Sequence, residues 1–169
     1  MASSIILIAT IGEDNCMAVK GQPCFKITED GRRFRQITEG RPIIMGRKTF
    51  EAMGKKPIPN RVNIIVSHSH EKYENHEIMG AKDLEQAIKI AKKIDREEVY
   101  IIGGAEIFKQ AIKIADELLI TFVRTKVPGA TCFFPKIDES KFSLKKESEL
   151  KTNRQGLRFS FREYSRKDD

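Results

Sequence analysis

The sequence predicts an α/β protein with a central mixed, mainly parallel β-sheet, helices on both faces and a C-terminal antiparallel hairpin. Three observations predict it. Short apolar runs rich in β-branched residues recur along the chain, segments of helical periodicity separate them, and the pattern changes near the end to strict alternation around a turn.

The first run, Ile5 to Ala9, is too short for an ordinary helix and reads as a strand buried on both faces. Comparable runs follow at Pro42 to Met45, Val62 to Val66, Val99 to Ile102 and Leu118 to Val123. Between them, Leu84, Ala87, Ile88, Ala91 and Ile94 recur at helical spacing behind Asp83, a residue suited to the helix start. A further helix is expected after Gly103 and Gly104, with Ile107, Phe108, Ala111, Ile112 and Ala115 along one stripe. Alternating strand and helix favours parallel pairing through right-handed crossovers. From Phe142 onward the order changes: Leu144, Leu157, Phe159 and Phe161 alternate with polar residues around a turn at Asn153 to Gly156. The stretch from Gly12 to Lys26 is expected to be a long loop, near the limit for an ordered loop without a functional reason.

With 169 residues and neither an internal repeat nor a low-complexity linker, the chain is expected to form one domain over residues 1–169. No segment reaches the roughly 18 apolar residues of a membrane span, and the first residues lack a basic leader, so a cytoplasmic location is expected. Cys16, Cys24 and Cys132 show no CxxC spacing, which favours free thiols over a disulfide framework or zinc site. The formal charge of +7 is spread among acidic residues. It reads as a solvated basic surface able to attract small anions, without the ordered basic and aromatic pattern of a nucleic-acid binder.

Three segments carry candidate chemistry. If the segment from Thr28 is helical, Asp30, Phe34 and Ile37 share a face and the carboxylate points to the apolar side. The same spacing equally suits an acid that only favours the helix N-terminus, as Glu29 can. In Ile44-Met-Gly-Arg-Lys-Thr-Phe50, an apolar strand passes through Gly46 into Arg47, Lys48 and Thr49, whose side chains and amides suit a phosphate. In Val99-Tyr-Ile-Ile-Gly-Gly-Ala-Glu-Ile-Phe108, Gly103 and Gly104 permit close backbone approach to a pyrophosphate. Neither segment is the dinucleotide fingerprint or the Walker pattern. Two such turns at the C-terminal ends of separate strands suit a ligand bearing several phosphates.

In order along the chain, Ile5 to Thr10, Asp30 with Phe34, Arg41-Pro-Ile-Ile-Met-Gly-Arg-Lys-Thr-Phe-Glu-Ala-Met-Gly54, Pro59-Asn-Arg61, Asn63-Ile-Ile-Val-Ser67, Ile102-Gly-Gly-Ala105 and Leu119-Ile-Thr-Phe122 resemble the dihydrofolate reductase family. The resemblance spans nearly the whole chain. It implies reduction of 7,8-dihydrofolate to 5,6,7,8-tetrahydrofolate by hydride transfer from NADPH, with a small-molecule folate substrate, no metal, no nucleic acid, no membrane, and a monomeric enzyme. It implies that Asp30 binds the pterin and assists protonation at N5, and that the Thr121 hydroxyl supports this acid. By the same resemblance the backbone of Ile8 and Ile102 lines the pterin edge, Phe34, Met53 and Ile58 pack against the ring and benzoyl portion, and Arg61 grips the glutamate tail's α-carboxylate.

For the cofactor, the resemblance implies that the backbone near Thr10 and Met17 holds the carboxamide. It assigns the phosphates to Gly46, Arg47, Lys48 and Thr49 together with Gly103, Gly104, Ala105, Glu106, Ile107 and Phe108. Ser67 and His68, beside Arg47, are placed by it near the adenosine 2′-phosphate, which favours NADPH over NADH. The chain departs from the family pattern in three places. Phe25 stands where a tryptophan is usual, Gly31 replaces a bulky residue, and Glu106 occupies a position where a basic residue is common in some members. Two other readings compete: an NADPH-dependent pyrimidine reductase of riboflavin synthesis, which does not need Asp30, Thr121 and Arg61 together, and a catalytically weakened nucleotide-binding homologue.

Overall fold

A computed structural model describes residues 3–69 and 76–168. Its main sheet is built around strand β1 (Ser4–Ile11), which pairs in parallel with both β7 (Glu98–Ile101) and β8 (Glu117–Val123). On one side, β7 continues in parallel to β4 (Ile43–Gly46), β5 (Asn63–Val66) and β6 (Ile78–Ala81). On the other, β8 pairs antiparallel with β12 (Arg158–Arg166), which carries β10 (Phe142–Glu147) and the short β11 (Lys151–Thr152). The spatial order is therefore β10-β12-β8-β1-β7-β4-β5-β6, mixed but mainly parallel at its centre.

The sheet centre is apolar on both faces, and each face has its own helices. Helix α3 (Leu84–Ile94) and helix α4 (Ala105–Ala111) cover one face with Leu84, Ala87, Ile88, Ala91, Ile107, Phe108 and Ala111, packed against Leu7, Ile44, Ile101 and Leu118. Asp83 starts α3 as its side chain accepts the Gln86 backbone N–H at 2.8 Å, satisfying one of the amides that a helix start leaves without a partner. The opposite face holds helix α1 (Thr28–Thr38) and helix α2 (Arg47–Ala52), with Phe50 and Ile37 against Ile6, Met45, Tyr100 and Leu119. Fully burying each such side chain contributes about 1.5–3 kcal/mol, so the two-sided core dominates the favourable side of folding.

Several expectations change. The stretch from Gly12 to Lys26 is not one open loop: it contains β2 (Cys16–Val19) and β3 (Gln22–Pro23), which form a second sheet with β9 (Cys132–Phe133). Strands this short have no readable period, and β9 lies more than 100 residues away in sequence. Of the four residues of β6 just Ile78 is β-branched, and Met79, Gly80 and Ala81 give no strand signature. Helix α4 ends at Ala111, short of the stripe that runs to Ala115, because the chain must turn so that Asp116 donates its N–H to the Ile5 carbonyl at 2.8 Å and enters β8. Ile102 lies just beyond β7, while Leu144 is 46% exposed on the outer strand, beside a register irregularity. The three cysteines, all free thiols, gather in or beside the small sheet.

Candidate active site

Helix α1 begins at Thr28 with Glu29 and Asp30 in its first turn, where negative charge is favoured by the helix dipole. That electrostatic reason is real, but it does not account for where the Asp30 side chain goes. Its Oδ1 accepts the Thr121 hydroxyl at 2.6 Å, and its Oδ2 accepts the Thr10 hydroxyl. Glu29, by contrast, is exposed. Thr10 and Thr121 are direct partners in the β1–β8 ladder, so two neighbouring strands present two hydroxyls to one carboxylate. Thr121 is buried and Asp30 is half-buried.

The residues expected to wall a substrate are apolar and gather in one cluster. Ile8, Ile102, Met53 and Ile58 are all partly buried and pack against the core that contains Ile6, Met45, Phe50, Tyr100 and Leu119. Phe34 is half-buried one helical turn after Asp30. Partly buried apolar side chains around a few polar anchors are what a flat heteroaromatic ligand requires.

Arg61 is 9% exposed, although an arginine after a turn is ordinarily a surface residue. Its Nε donates to the Thr38 hydroxyl at 2.9 Å, one terminal nitrogen donates to the Arg35 carbonyl at 2.6 Å, and the other donates to the Pro59 carbonyl. Burial holds its pKa below the ordinary arginine value, though the guanidinium stays charged. Three of five N–H groups are used to fix the fork, which leaves two for an anionic ligand. Among the described residues no carboxylate forms an ion pair with it. Asn63 steadies the same segment: its Oδ1 accepts the Ile58 N–H at 2.9 Å, and its Nδ2 donates to the carbonyls of Ile58 and Arg61.

The two glycine-containing turns are neighbours. The Gly46 N–H donates to the Gly103 carbonyl at 2.8 Å, and a Cβ built on Gly104 would lie 3.1 Å from the Thr49 hydroxyl. Gly103 adopts φ +119, and a Cβ there would stand 3.0 Å from the Phe108 ring, so backbone angle and space both demand glycine. The Gly103–Gly104 peptide is cis. Arg47 and Lys48 are exposed at the start of α2, with Arg47 paired to Glu51 at 3.2 Å. Neither α2 nor α4 has a side-chain cap, so both starts keep backbone N–H groups available.

The other residues expected near a cofactor are spread around these turns. Ala105 and Glu106 open α4, Glu106 being exposed, while Ile107 and Phe108 turn into the core. Ser67 and His68 follow β5, and the Ser67 hydroxyl is bonded to that of Ser69 at 2.8 Å. Met17 lies on β2, half-buried, its carbonyl accepting the Cys24 N–H at 2.8 Å. Phe25 is 9% exposed and packs with Cys16, Ile27, Val123 and Phe159, and its ring carries no N–H. The Thr10 hydroxyl is the site feature that sequence reasoning missed, because its contact with Asp30 depends on the strand register alone.

Likeness to known proteins runs along almost the whole chain. The family model for dihydrofolate reductase matches residues 4–166. The chain is 36% identical to a dihydrofolate reductase of Neisseria meningitidis serogroup B over 162 residues, covering 96% of this chain and 98% of that one. It is 34% identical to a dihydrofolate reductase of Haemophilus influenzae over 155 residues, covering 92% of each. A solved dihydrofolate reductase from Enterococcus faecalis, complexed with NADP(H) and RAB-propyl, superposes with a TM-score of 0.86 at 25% identity, covering 98% of this chain and 97% of that one. Matched by that family's model from residue 4 to residue 166, and 34–36% identical to these two members over more than nine-tenths of its length, this chain belongs to the dihydrofolate reductase family.

Proposed function

We propose that this chain reduces 7,8-dihydrofolate to 5,6,7,8-tetrahydrofolate with NADPH, and that Asp30 is the acid that serves the pterin. The observation that carries the reading is the Asp30 carboxylate, bonded through both oxygens to Thr121 and Thr10. A carboxylate so held accepts two N–H groups from the amidine-like edge of a pterin and fixes the ring in its plane. Once oriented, the same group assists delivery of a proton to N5. Arg61, fixed by three internal bonds, offers its two remaining N–H groups to the α-carboxylate of the glutamate tail.

The residues present fit a phosphate-bearing dinucleotide. Gly103 and Gly104 make a cradle that a Cβ would fill, Thr49 lies against it, and Arg47 and Lys48 bring positive charge to its edge. When bound, NADPH supplies the hydride. Gly46 to Thr49 and Gly103 to Phe108 would hold its phosphates, Ser67 and His68 with Arg47 its 2′-phosphate, and the backbone at Thr10 and Met17 its carboxamide. The β1–β7 ladder stops at Leu7 and Ile101, leaving the end of β1 unpaired on that side, where a carboxamide can bond the strand. No helix among the described residues is long and apolar enough to cross a membrane. We read the chain as a monomeric, single-domain cytoplasmic enzyme.

Steady-state oxidation of NADPH, with dihydrofolate, folate and a pyrimidine substrate compared in parallel, tests the reading. Dihydrofolate-dependent loss of reduced-nicotinamide absorbance is expected. No such loss, or faster turnover of the pyrimidine, sinks it.

A further inference from the structure

We propose that Thr10 is a positioning residue for Asp30: its hydroxyl holds the second carboxylate oxygen, so that with Thr121 it presets the acid for a two-pronged donor. The inference rests on the reading of Asp30 as the acid that binds the pterin. Its own ground is the register of the sheet. Thr10 on β1 and Thr121 on β8 are paired side by side, and their hydroxyls reach opposite oxygens of one carboxylate, Thr121 to Oδ1 at 2.6 Å and Thr10 to Oδ2.

A carboxylate offers about four acceptor positions, two on each oxygen. One on each is taken by a threonine, which leaves one on each for a ligand with two parallel N–H groups. The torsion that sets the plane of an aspartate carboxylate is broad and costs little to turn. A single donor would leave the group free to swing about that contact, whereas two donors on adjacent strands fix its plane. Among the described residues both side-chain partners of the Asp30 carboxylate thus come from the sheet, while Phe25 is packed among Cys16, Ile27, Val123 and Phe159 and its ring has no polar hydrogen. Hydrogen bonds to a charged acceptor are the strong ones, so losing the Thr10 contact weakens recognition at the carboxylate and leaves the phosphate-binding turns untouched.

The test compares the parent protein with Thr10→Val, which keeps shape and removes the hydroxyl, and Thr10→Ser, which keeps the hydroxyl. Steady-state kinetics with dihydrofolate are read for all three proteins at saturating NADPH. Thr10→Val is expected to lower kcat/KM for dihydrofolate about tenfold, and Thr10→Ser to recover to within about threefold of the parent. A parent-like Thr10→Val, or a Thr10→Ser as impaired as Thr10→Val, overturns the proposal. If the valine variant does not fold, Thr10→Ala against Thr10→Ser makes the same comparison, and a parent-like alanine variant overturns it. A parent silent on dihydrofolate removes the functional reading and this inference together, whereas an active parent with an indifferent valine variant removes the inference alone.

Discussion

Replacing Gly31 with alanine is expected to stabilise the protein, and its surroundings allow the size of the effect to be worked out. Gly31 lies in the interior of α1, directly after Asp30, with its N–H bonded to the Ile27 carbonyl at 3.0 Å. Its φ is not positive, and a Cβ built there meets nothing within 4 Å. An alanine therefore adds no clash and asks for no change of backbone angle. It removes freedom from the unfolded chain, which for such a glycine is worth about 0.5–1 kcal/mol. For a chain of this length, 1 kcal/mol corresponds to roughly 2–4 °C in Tm. Urea unfolding followed by circular dichroism should show a higher midpoint with an unchanged slope, since the surface exposed on unfolding is the same. A midpoint at or below the parent's would refute the reasoning, because it would mean that the glycine's conformation or the space beside it is used.

Three further outcomes follow from the site and its frame. Asp30→Asn should keep the fold and NADPH binding yet slow dihydrofolate turnover by about 100-fold or more near neutral pH, as loss of a proton-handling group does; equal rates would reassign the acid, with Glu29 next to be tried. Arg61→Lys should cost about 2 kcal/mol of stability and also raise KM for dihydrofolate, because a lysine cannot serve Thr38, Arg35 and Pro59 together and still offer a two-pronged fork. A raised KM with unchanged thermal stability would show that the internal bonds are idle. Glu117 has its carboxyl pushed above the usual range by burial first, then by the charges of Glu98, Glu163 and Asp116. A folded value above the unfolded one means that this residue's share of stability is complete in acid and lost as pH rises through the raised value. Glu117→Gln should thus be more stable than the parent at neutral pH, by under about 1 kcal/mol after solvent screening, with the gain gone below about pH 4. A gain of equal size at both pH values would assign the effect to packing.

The parts of the fold that could be read directly are those where packing and local pattern agree. Ile5 to Ala9 and Leu118 to Ile120 are apolar on consecutive positions because both faces of the central sheet are covered, and Asp83 begins α3 with its own cap. The second sheet escaped because Cys132 and Phe133 complete it from the far half of the chain, and two-residue strands have no period to detect. The site divides in the same way. The spacing of Asp30 and Phe34 reveals a shared helix face, but spacing could not separate a helix-start charge from a ligand-binding acid. What the spacing could not show is that the carboxylate is held by the sheet: by Thr121, 91 residues onward, and by Thr10, whose hydroxyl could be assigned only once β1 and β8 were in register. The burial of Arg61 was equally beyond local reading, since Arg35 and Thr38 reach it from another element.

Helix α1 ties the two anchors together. Asp30 is in its first turn, and Thr38 in its last accepts from Arg61, while the Arg35 carbonyl takes a second bond from the same guanidinium. The eight positions from Asp30 to Thr38 span about 12 Å along a helix axis. The helix therefore acts as a calliper with jaws of opposite charge, set by peptide geometry and not by the looser course of a loop. On the reading proposed for Asp30 and Arg61, a ligand is gauged by length as well as by chemistry: one with its donor edge and its anionic end at the wrong separation can satisfy either jaw, but not both at once.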